Sequence, residues 1–328
     1  MKKNRVAFAG FEHSHIFGIY NEVSESPLFE IAGAWEPDEK AKEEAVKRGV
    51  VFTCESLESL INDSGADTVA VGSRYGSRGE IVIKALKAGK NIISDKPLCT
   101  SLKELSEIER LANENNLTVC IFFSLRKEPC ILGALKAIKN GAVGEINNII
   151  FEGEHPLLYG KRPEWYFEKG SHGGVINDIA VHGIDLVRIM TGSDIKKVEA
   201  AREWNFYAKE KPDFKDSAQF MLTLESGAGV IADVSYSAPD AHGYTHSSYW
   251  HFRVFGSLGM MDFGLNNGDA VLYPKNGEAV KTAPVQPEQT MLEEFYSAVT
   301  GKINSREYTY NMLQSTRQTL ITETFAEG

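Results

Sequence analysis

Over roughly the first 123 residues, short apolar runs alternate with amphipathic ones, and few folds accept that rhythm. Strand-like runs occupy residues 5–10, 29–35, 50–53, 67–71, 91–94 and 117–123. Helical patterns fill the intervals, reaching Glu25 and then covering 38–48, 57–62, 79–88 and 101–115. Ser101 with Glu104 three residues on forms a capping box that opens the last of these. Brief apolar strands separated by helices require crossover connections, which make the sheet parallel and cover both of its faces. The fold class expected is α/β, with an amino-terminal doubly wound parallel sheet. Ligands of such sheets sit at the carboxyl ends of the strands, near the point where strand order reverses.

The rhythm changes after residue 123. A helical pattern over 129–140 leads into longer strands at 146–154, 196–204, 217–225, 229–236, 250–255 and 260–263, and helices at 288–300 and 308–325 end the chain. Strands grouped between helices predict an α+β domain on an open, largely antiparallel sheet. Two domains are expected, 1–123, a nucleotide-binding candidate by its geometry, and 124–328.

Bulk numbers exclude several classes. With 35 basic against 45 acidic residues and no basic block, the chain lacks the charge for nucleic acid or an anionic membrane surface. No apolar run approaches the ~20 residues that span a bilayer. The amino terminus enters a strand pattern with no signal-peptide regions. Cys54, Cys99, Cys120 and Cys130 show no C-x-x-C or zinc-ligand spacing, and the last three sit in or beside apolar segments where free thiols pack as small hydrophobes. A cytoplasmic location is expected.

Residues 171–188 carry the densest polar signal. Asp178, His182 and Asp185 recur at i, i+4 and i+7 and share one helix face. The other faces are apolar, so the helix belongs in a core, where each polar group needs a partner or a cavity. Gly173 and Gly174 just before it would leave room for a ligand. Spacing alone leaves two readings open, a buried structural network or one wall of a site.

The turn after the first strand reads Gly10-Phe11-Glu12-His13-Ser14-His15 and keeps only one glycine of the dinucleotide fingerprint. Glu12 stands where a diphosphate would approach and must turn away to admit one. His13 and His15 lack a third adjacent ligand, so no metal is expected, and both are placed beside a cofactor, a substrate or the following helix. Glu36 ends the second strand, either as a ribose-binding carboxylate that disfavours a 2′-phosphate or as a solvated charge. Ser73 and Arg74 follow the fourth strand of the series, 67–71. Asp95-Lys96-Pro97 follows the strand at 91–94, and proline restricts Lys96 to an extended conformation.

Lys96-Pro97 at a strand end, combined with Gly173-Gly174-x3-Asp178-x3-His182-x2-Asp185, resembles the Gfo/Idh/MocA oxidoreductases. Arg126, the turn at 141–144 and the glycine turn at 255–259 extend the resemblance over nearly the whole chain. It implies an amino-terminal Rossmann domain over 1–123, a substrate-binding and oligomerisation domain with an open sheet over 124–328, NAD (NADP being the variant), and oxidation of a hydroxyl on a sugar, inositol or related compound. It also implies a homodimer or homotetramer assembled through the carboxyl-terminal sheet. By the same resemblance Lys96 and His182 handle the proton, Asp178 holds a substrate hydroxyl, and Asp185 supports the helix. The expected cofactor set is Gly10, Phe11, Glu12, His13, His15, Glu36, Ser73, Arg74, Asp95 and Lys96. Arg126, Tyr159, Arg162, Trp165 and His172 are expected around the substrate. Departures from the family pattern are the glycine-poor first turn, Arg74 and Arg78 where Pro and His are common, Asp95 for Glu, and His172 for a glycine. Two rival functions use the same fold: a redox-neutral sugar lyase or glycosidase that borrows the hydride, and a non-catalytic NAD-binding regulator.

Overall fold

A computed structural model describes residues 2–328, which divide into two compact units: one from residues up to 122 with 289–314, the other from 123–288 with 315–328. In the first unit β1 (Asn4–Ala9), α1 (Ile16–Glu25), β2 (Phe29–Trp35), α2 (Glu39–Lys47), α3 (Leu57–Asn62), β3 (Thr68–Val71), α4 (Tyr75–Lys87), β4 (Asn91–Asp95), α5 (Leu102–Asn115) and β5 (Val119–Phe122) follow in order. The strands pair β2-β1-β3-β4-β5, all parallel, as the alternation requires. Strands β1 and β3 are buried almost throughout (Val6, Ala7, Phe8, Ala9; Val69, Ala70, Val71), which is why they read as continuous apolar runs.

Two sequence expectations change here. Residues 50–53 form no strand; Thr53 and Cys54 only donate their N–H groups to Ala34 O, and Val51 stays exposed. Helix α4 starts four residues before the expected Gly79, because the Glu12 carboxylate accepts the Arg74 N–H at its first turn.

The second unit holds α6 (Pro129–Lys139), β6 (Ile146–Pro156), a π-helical turn (Ile176–Ala180) running into α7 (Val181–Thr191), β7 (Ile195–Trp204), β8 (Ser217–Leu224), β9 (Gly229–Ala238), β10 (His251–Gly256), β11 (Gly259–Gly264), β12 (Ala270–Pro274) and β13 (Val280–Thr282). Its eight strands run β13-β12-β11-β10-β6-β9-β8-β7, antiparallel except for the β6–β9 pair. Period-two patterning puts Ile149, Phe151, Phe220, Leu222, Val230, Val234, Phe252 and Val254 into the core. Gly183 lets α7 lie close against the sheet, since a Cβ there would come 2.2 Å from the Phe151 ring.

The last helices are α8 (Met291–Val299) and α9 (Ser305–Glu327). The sequence placed them in the second domain, but residues 289–314 pack in the first unit. Phe295 stacks on Phe29, the Tyr296 hydroxyl donates to Lys2 O, and Thr309 Oγ1 accepts the Val119 N–H, so the chain returns to close the first core. Among the described residues no helix is long and apolar enough to cross a membrane.

Candidate functional site

In the first unit β1 ends at Gly10, whose φ is +89° and whose Cβ, if present, would lie 2.6 Å from Ser73. Only glycine fits both that dihedral and that approach of the β1 and β3 ends. Glu12 lines the cavity at these strand ends and is bound there by Arg74. Its carboxylate takes Arg74 Nε at 2.7 Å, Nη2 at 2.5 Å and the backbone N–H at 2.9 Å, so its charge is paired. Glu36 is buried and accepts N–H donors from Phe11 and Asp38. Burial pushes its carboxyl up to about 7 despite those two bonds.

A cavity of about 440 Å³ opens at these strand ends, lined by Trp35, Asp38, Ser73, Arg74 and Ile81 among others. Glu36 is absent from its lining, while Asp38 presents a carboxylate there. Ser73 Oγ is buried and has no hydrogen-bond partner among the described residues. A pocket that sets the apolar side chains of Trp35, Leu57 and Ile81 beside an orphaned hydroxyl, the Arg74 and Lys84 cations and the acidic residues Glu12, Asp38 and Glu80 fits the adenosine end of a dinucleotide.

Beside it Asp95, Lys96 and Pro97 leave β4. Asp95 is buried, with His13 Nδ1 at 2.5 Å, His15 Nδ1 at 3.2 Å and Arg78 Nη2 at 3.0 Å. Burial alone would raise its pKa; His13, His15 and Arg78 outweigh that and hold it well below the ordinary carboxylate range. His13 is driven by burial down to about 4 in spite of Asp95, so it is neutral near pH 7. With Nδ1–H donating to Asp95, His13 Nε2 accepts from the Tyr75 hydroxyl 2.9 Å away. Arg78 is fully buried and donates to the carbonyls of Ser73 (2.8 Å), Asp95 (3.0 Å), Lys96 (2.6 Å) and Pro97 (3.0 Å). It therefore fixes the backbone on both sides of Lys96, which is itself buried. The ligand-type atoms of His13, His15 and Asp95 lie within 4.8 Å of one another. The Arg78 guanidinium against the same carboxylate opposes a second cation.

In the second unit Asp178, His182 and Asp185 are all buried on the π turn and α7. π turns recur at functional sites. Asp178 accepts the Tyr236 hydroxyl, with His172 Nε2 3.4 Å from the same carboxylate oxygen. The His182 ring stands edge-on to Phe123 (centroids 6.1 Å apart) and Trp250 (5.5 Å). Asp185 binds Arg126 through Nε at 2.7 Å and Nη2 at 2.5 Å and accepts from Ser315 Oγ at 2.6 Å.

These contacts revise several substrate expectations. The Arg126 guanidinium is committed to Asp185, so it braces α7. Arg162 donates to Leu157 O (2.7 Å) and Pro156 O (2.9 Å) and lies 4.8 Å from the Tyr166 and Tyr236 ring centroids. Trp165 is buried against Tyr166, whereas Tyr159 is partly exposed beside Phe167. Gly174 makes room for a side chain of the protein: a Cβ there would lie 1.5 Å from Glu323 Oε1. Glu203 and Glu323 accept the N–H groups of Ile176 (3.0 Å) and Asn177 (2.8 Å), capping the π turn. Burial pushes both carboxyls upward, and in Glu323 the neighbouring Glu203 adds to the shift. Tyr236, Glu203 and Glu323 lie far from the 171–188 stretch in sequence, and only Tyr236 left a trace, as a polar residue in the core phase of β9.

Comparison with known proteins agrees with both units. Residues 5–123 match the model of an oxidoreductase family with an NAD-binding Rossmann fold, and residues 131–262 match the Gfo/Idh/MocA carboxyl-terminal domain. Levoglucosan dehydrogenase of Pseudarthrobacter phenanthrenivorans is 29% identical over 255 residues, covering 70% of this chain and 64% of that protein. The NAD-dependent scyllo-inositol 2-dehydrogenase of Bacillus subtilis is 25% identical over 211 residues, 62% of this chain and 58% of its own. The chain thus spans less than two thirds of the length of these curated relatives. A putative oxidoreductase from Erwinia carotovora atroseptica superposes with a TM-score of 0.87 at 23% identity, over 99% of each chain, and shares the fold. With an NAD-binding Rossmann unit and the matching second domain both present, the chain belongs to the Gfo/Idh/MocA family of oxidoreductases.

Proposed function

We propose that the protein is an NAD-dependent dehydrogenase that oxidises a hydroxyl of a sugar, an inositol or a related polyhydroxylated compound. The observation that carries this reading is a buried imidazole, His182, on the same helical stretch as the carboxylate Asp178. A core tolerates such groups at a cost, and an acid/base site gives them a use. The curated relatives named for levoglucosan, D-xylose and inositols support the substrate class.

In this mechanism the nicotinamide, when bound, supplies the hydride acceptor. His182 takes the proton of the reacting hydroxyl, with Lys96 assisting, and Asp178 holds the neighbouring hydroxyl. The Tyr236 donor bond keeps Asp178 oriented. Arg78 holds the backbone of Lys96, and Arg126 with Asp185 holds α7. The cavity beside Gly10 and Ser73 receives the adenosine half, and the Glu12–Arg74 pair keeps the carboxylate from repelling the diphosphate. The expected assembly is a homodimer or homotetramer.

Replacement of Lys96 by Met tests the assignment. Turnover should vanish while calorimetric NAD binding stays close to that of the parent protein; undiminished turnover rejects the role of Lys96.

A further inference from the structure

Two carboxyl groups converge on the start of the π turn. Glu203, from β7, accepts the Ile176 N–H at 3.0 Å, and Glu323, from α9, accepts the Asn177 N–H at 2.8 Å. Asn177 directly precedes Asp178, whose own N–H goes to Gly174 O at 3.1 Å. Glu323 is 4% exposed, and its Oε1 is buried with no donor among the described residues. That oxygen sits over Gly174, where a Cβ would come 1.5 Å from it, so it is enclosed by the turn.

The two carboxyls also lie within hydrogen-bonding reach of each other. Ionised carboxylates only accept, so this contact is a hydrogen bond only when one of the two carries a proton. Ion pairing does not replace that proton: among the described residues neither carboxyl pairs with Lys, Arg or His. Both line a cavity of about 490 Å³ that gives them a path to solvent. The charged groups facing them are Glu327 on α9 and, around the cavity, Glu168, Asp213 and Lys215; Tyr166 and His172 are its other titratable side chains. Asp178 follows on the turn itself. These neighbours are mostly negative, so they oppose a second charge on the pair, whereas a single one suits the N-terminal end of the helix. Burial and this repulsion raise both carboxyls above their ordinary range.

We propose that Glu203 and Glu323 share one proton at neutral pH and through it clamp the π turn that positions Asp178, so that losing this proton loosens the turn. The positioning role rests on the dehydrogenase reading above. One carboxyl is the O–H donor and the other the acceptor, while the pair also takes the Ile176 and Asn177 N–H groups. β7, α9 and the π turn are thereby tied at one point. Deprotonation releases one proton to solvent, leaves the pair doubly negative and replaces its hydrogen bond by repulsion. The folded pair holds the proton more tightly than the unfolded chain does. The clamp's contribution is therefore full below the ordinary carboxyl range and is lost as pH rises through the raised value.

The test uses the full-length protein. Hydrogen exchange of the 175–182 amides, corrected for the pH dependence of intrinsic exchange, reads the opening of the turn from pH 6 to pH 10. In the parent the opening constant should rise, tending to roughly tenfold per pH unit once the proton is lost. Glu323→Gln, whose amide N–H stands in for the shared proton at every pH, should lack that rise. A parent without the rise, or a Glu323→Gln protein that keeps it, overturns the clamp. Infrared difference spectra at pH 7 between the parent and the Glu203→Gln/Glu323→Gln double variant should hold the C=O band of one protonated carboxyl; none or two overturns the shared proton. With NAD and myo-inositol, D-xylose and levoglucosan as probe substrates, Glu323→Ala should lower kcat roughly tenfold to a hundredfold at little-changed NAD affinity, and Glu323→Gln should restore most of it. Equal kcat in Glu323→Ala and the parent, or equally slow Ala and Gln variants, overturns the positioning role. If no probe yields NADH with the parent, the dehydrogenase reading fails for this substrate class, and exchange and infrared results still decide the clamp.

Discussion

Glu36→Gln should change how the stability of the first unit depends on pH. Glu36 is buried beneath the β1 turn, with its carboxyl raised from 4.5 to about 7. A carboxyl raised on folding means that the folded state binds the proton more tightly than the unfolded one. Its contribution is therefore fully present below about 4.5 and is lost as pH rises towards 7. The shift corresponds to about 3 kcal/mol between those limits, at roughly 1.4 kcal/mol per pK unit. Glutamine keeps the shape and accepts one of the two backbone N–H groups at all pH values, so the variant lacks this slope. Glu154, also pushed up to about 7, contributes the same sign in both proteins and cancels in the difference. Hydrogen exchange of β1 and β2 peptides at pH 5, 6, 7 and 8 reads the opening free energy of this unit. The variant should gain on the parent by about 3 kcal/mol between pH 5 and pH 8. A difference that stays constant with pH refutes the buried, protonated Glu36.

Two further perturbations probe the braces. Arg126→Met strands Asp185 as a buried carboxylate and should destabilise the second unit by about 3–5 kcal/mol, read as an earlier denaturant midpoint, with kcat falling because α7 loses its anchor. Gly183→Ala drives a methyl to 2.2 Å from the Phe151 ring and should cost about 1–3 kcal/mol by the same measurement, with NAD binding at the first unit unaffected.

Much of this was legible in the sequence because the chain obeys simple periods. The parallel sheet followed from apolar runs at β1, β3 and β4, each too short for a helix and each bounded by turns. The polar stripe of Asp178, His182 and Asp185 was visible because its neighbours are uniformly apolar. Four features were hidden, each for a physical reason. Residues 50–53 carry strand-forming side chains and reach the free edge of β2, but the N–H groups of Thr53 and Cys54 share the one acceptor Ala34 O, so no ladder forms. Residues 289–314 have an ordinary amphipathic pattern, and which core they complete depends on Phe29 and Tyr296 finding each other across the chain. Arg126 was read as facing a ligand, although its partner Asp185 lies 59 positions away. Gly174 announced a close approach correctly, but the group that approaches is Glu323 from the far end of the chain. Spacing reveals that a position is special; only the three-dimensional neighbour says why.

The central claim is that a buried imidazole and carboxylate on the π turn and α7 serve NAD-linked oxidation of a polyol. It is tested most directly by incubating the protein with NAD and a panel of myo-inositol, scyllo-inositol, D-xylose and levoglucosan while following NADH absorbance, with His182→Ala in parallel. The account predicts NADH formation with at least one member and a loss of roughly a hundredfold or more in the variant at unchanged NAD affinity. Equal rates in the two proteins, or no calorimetrically detectable NAD binding, would contradict it.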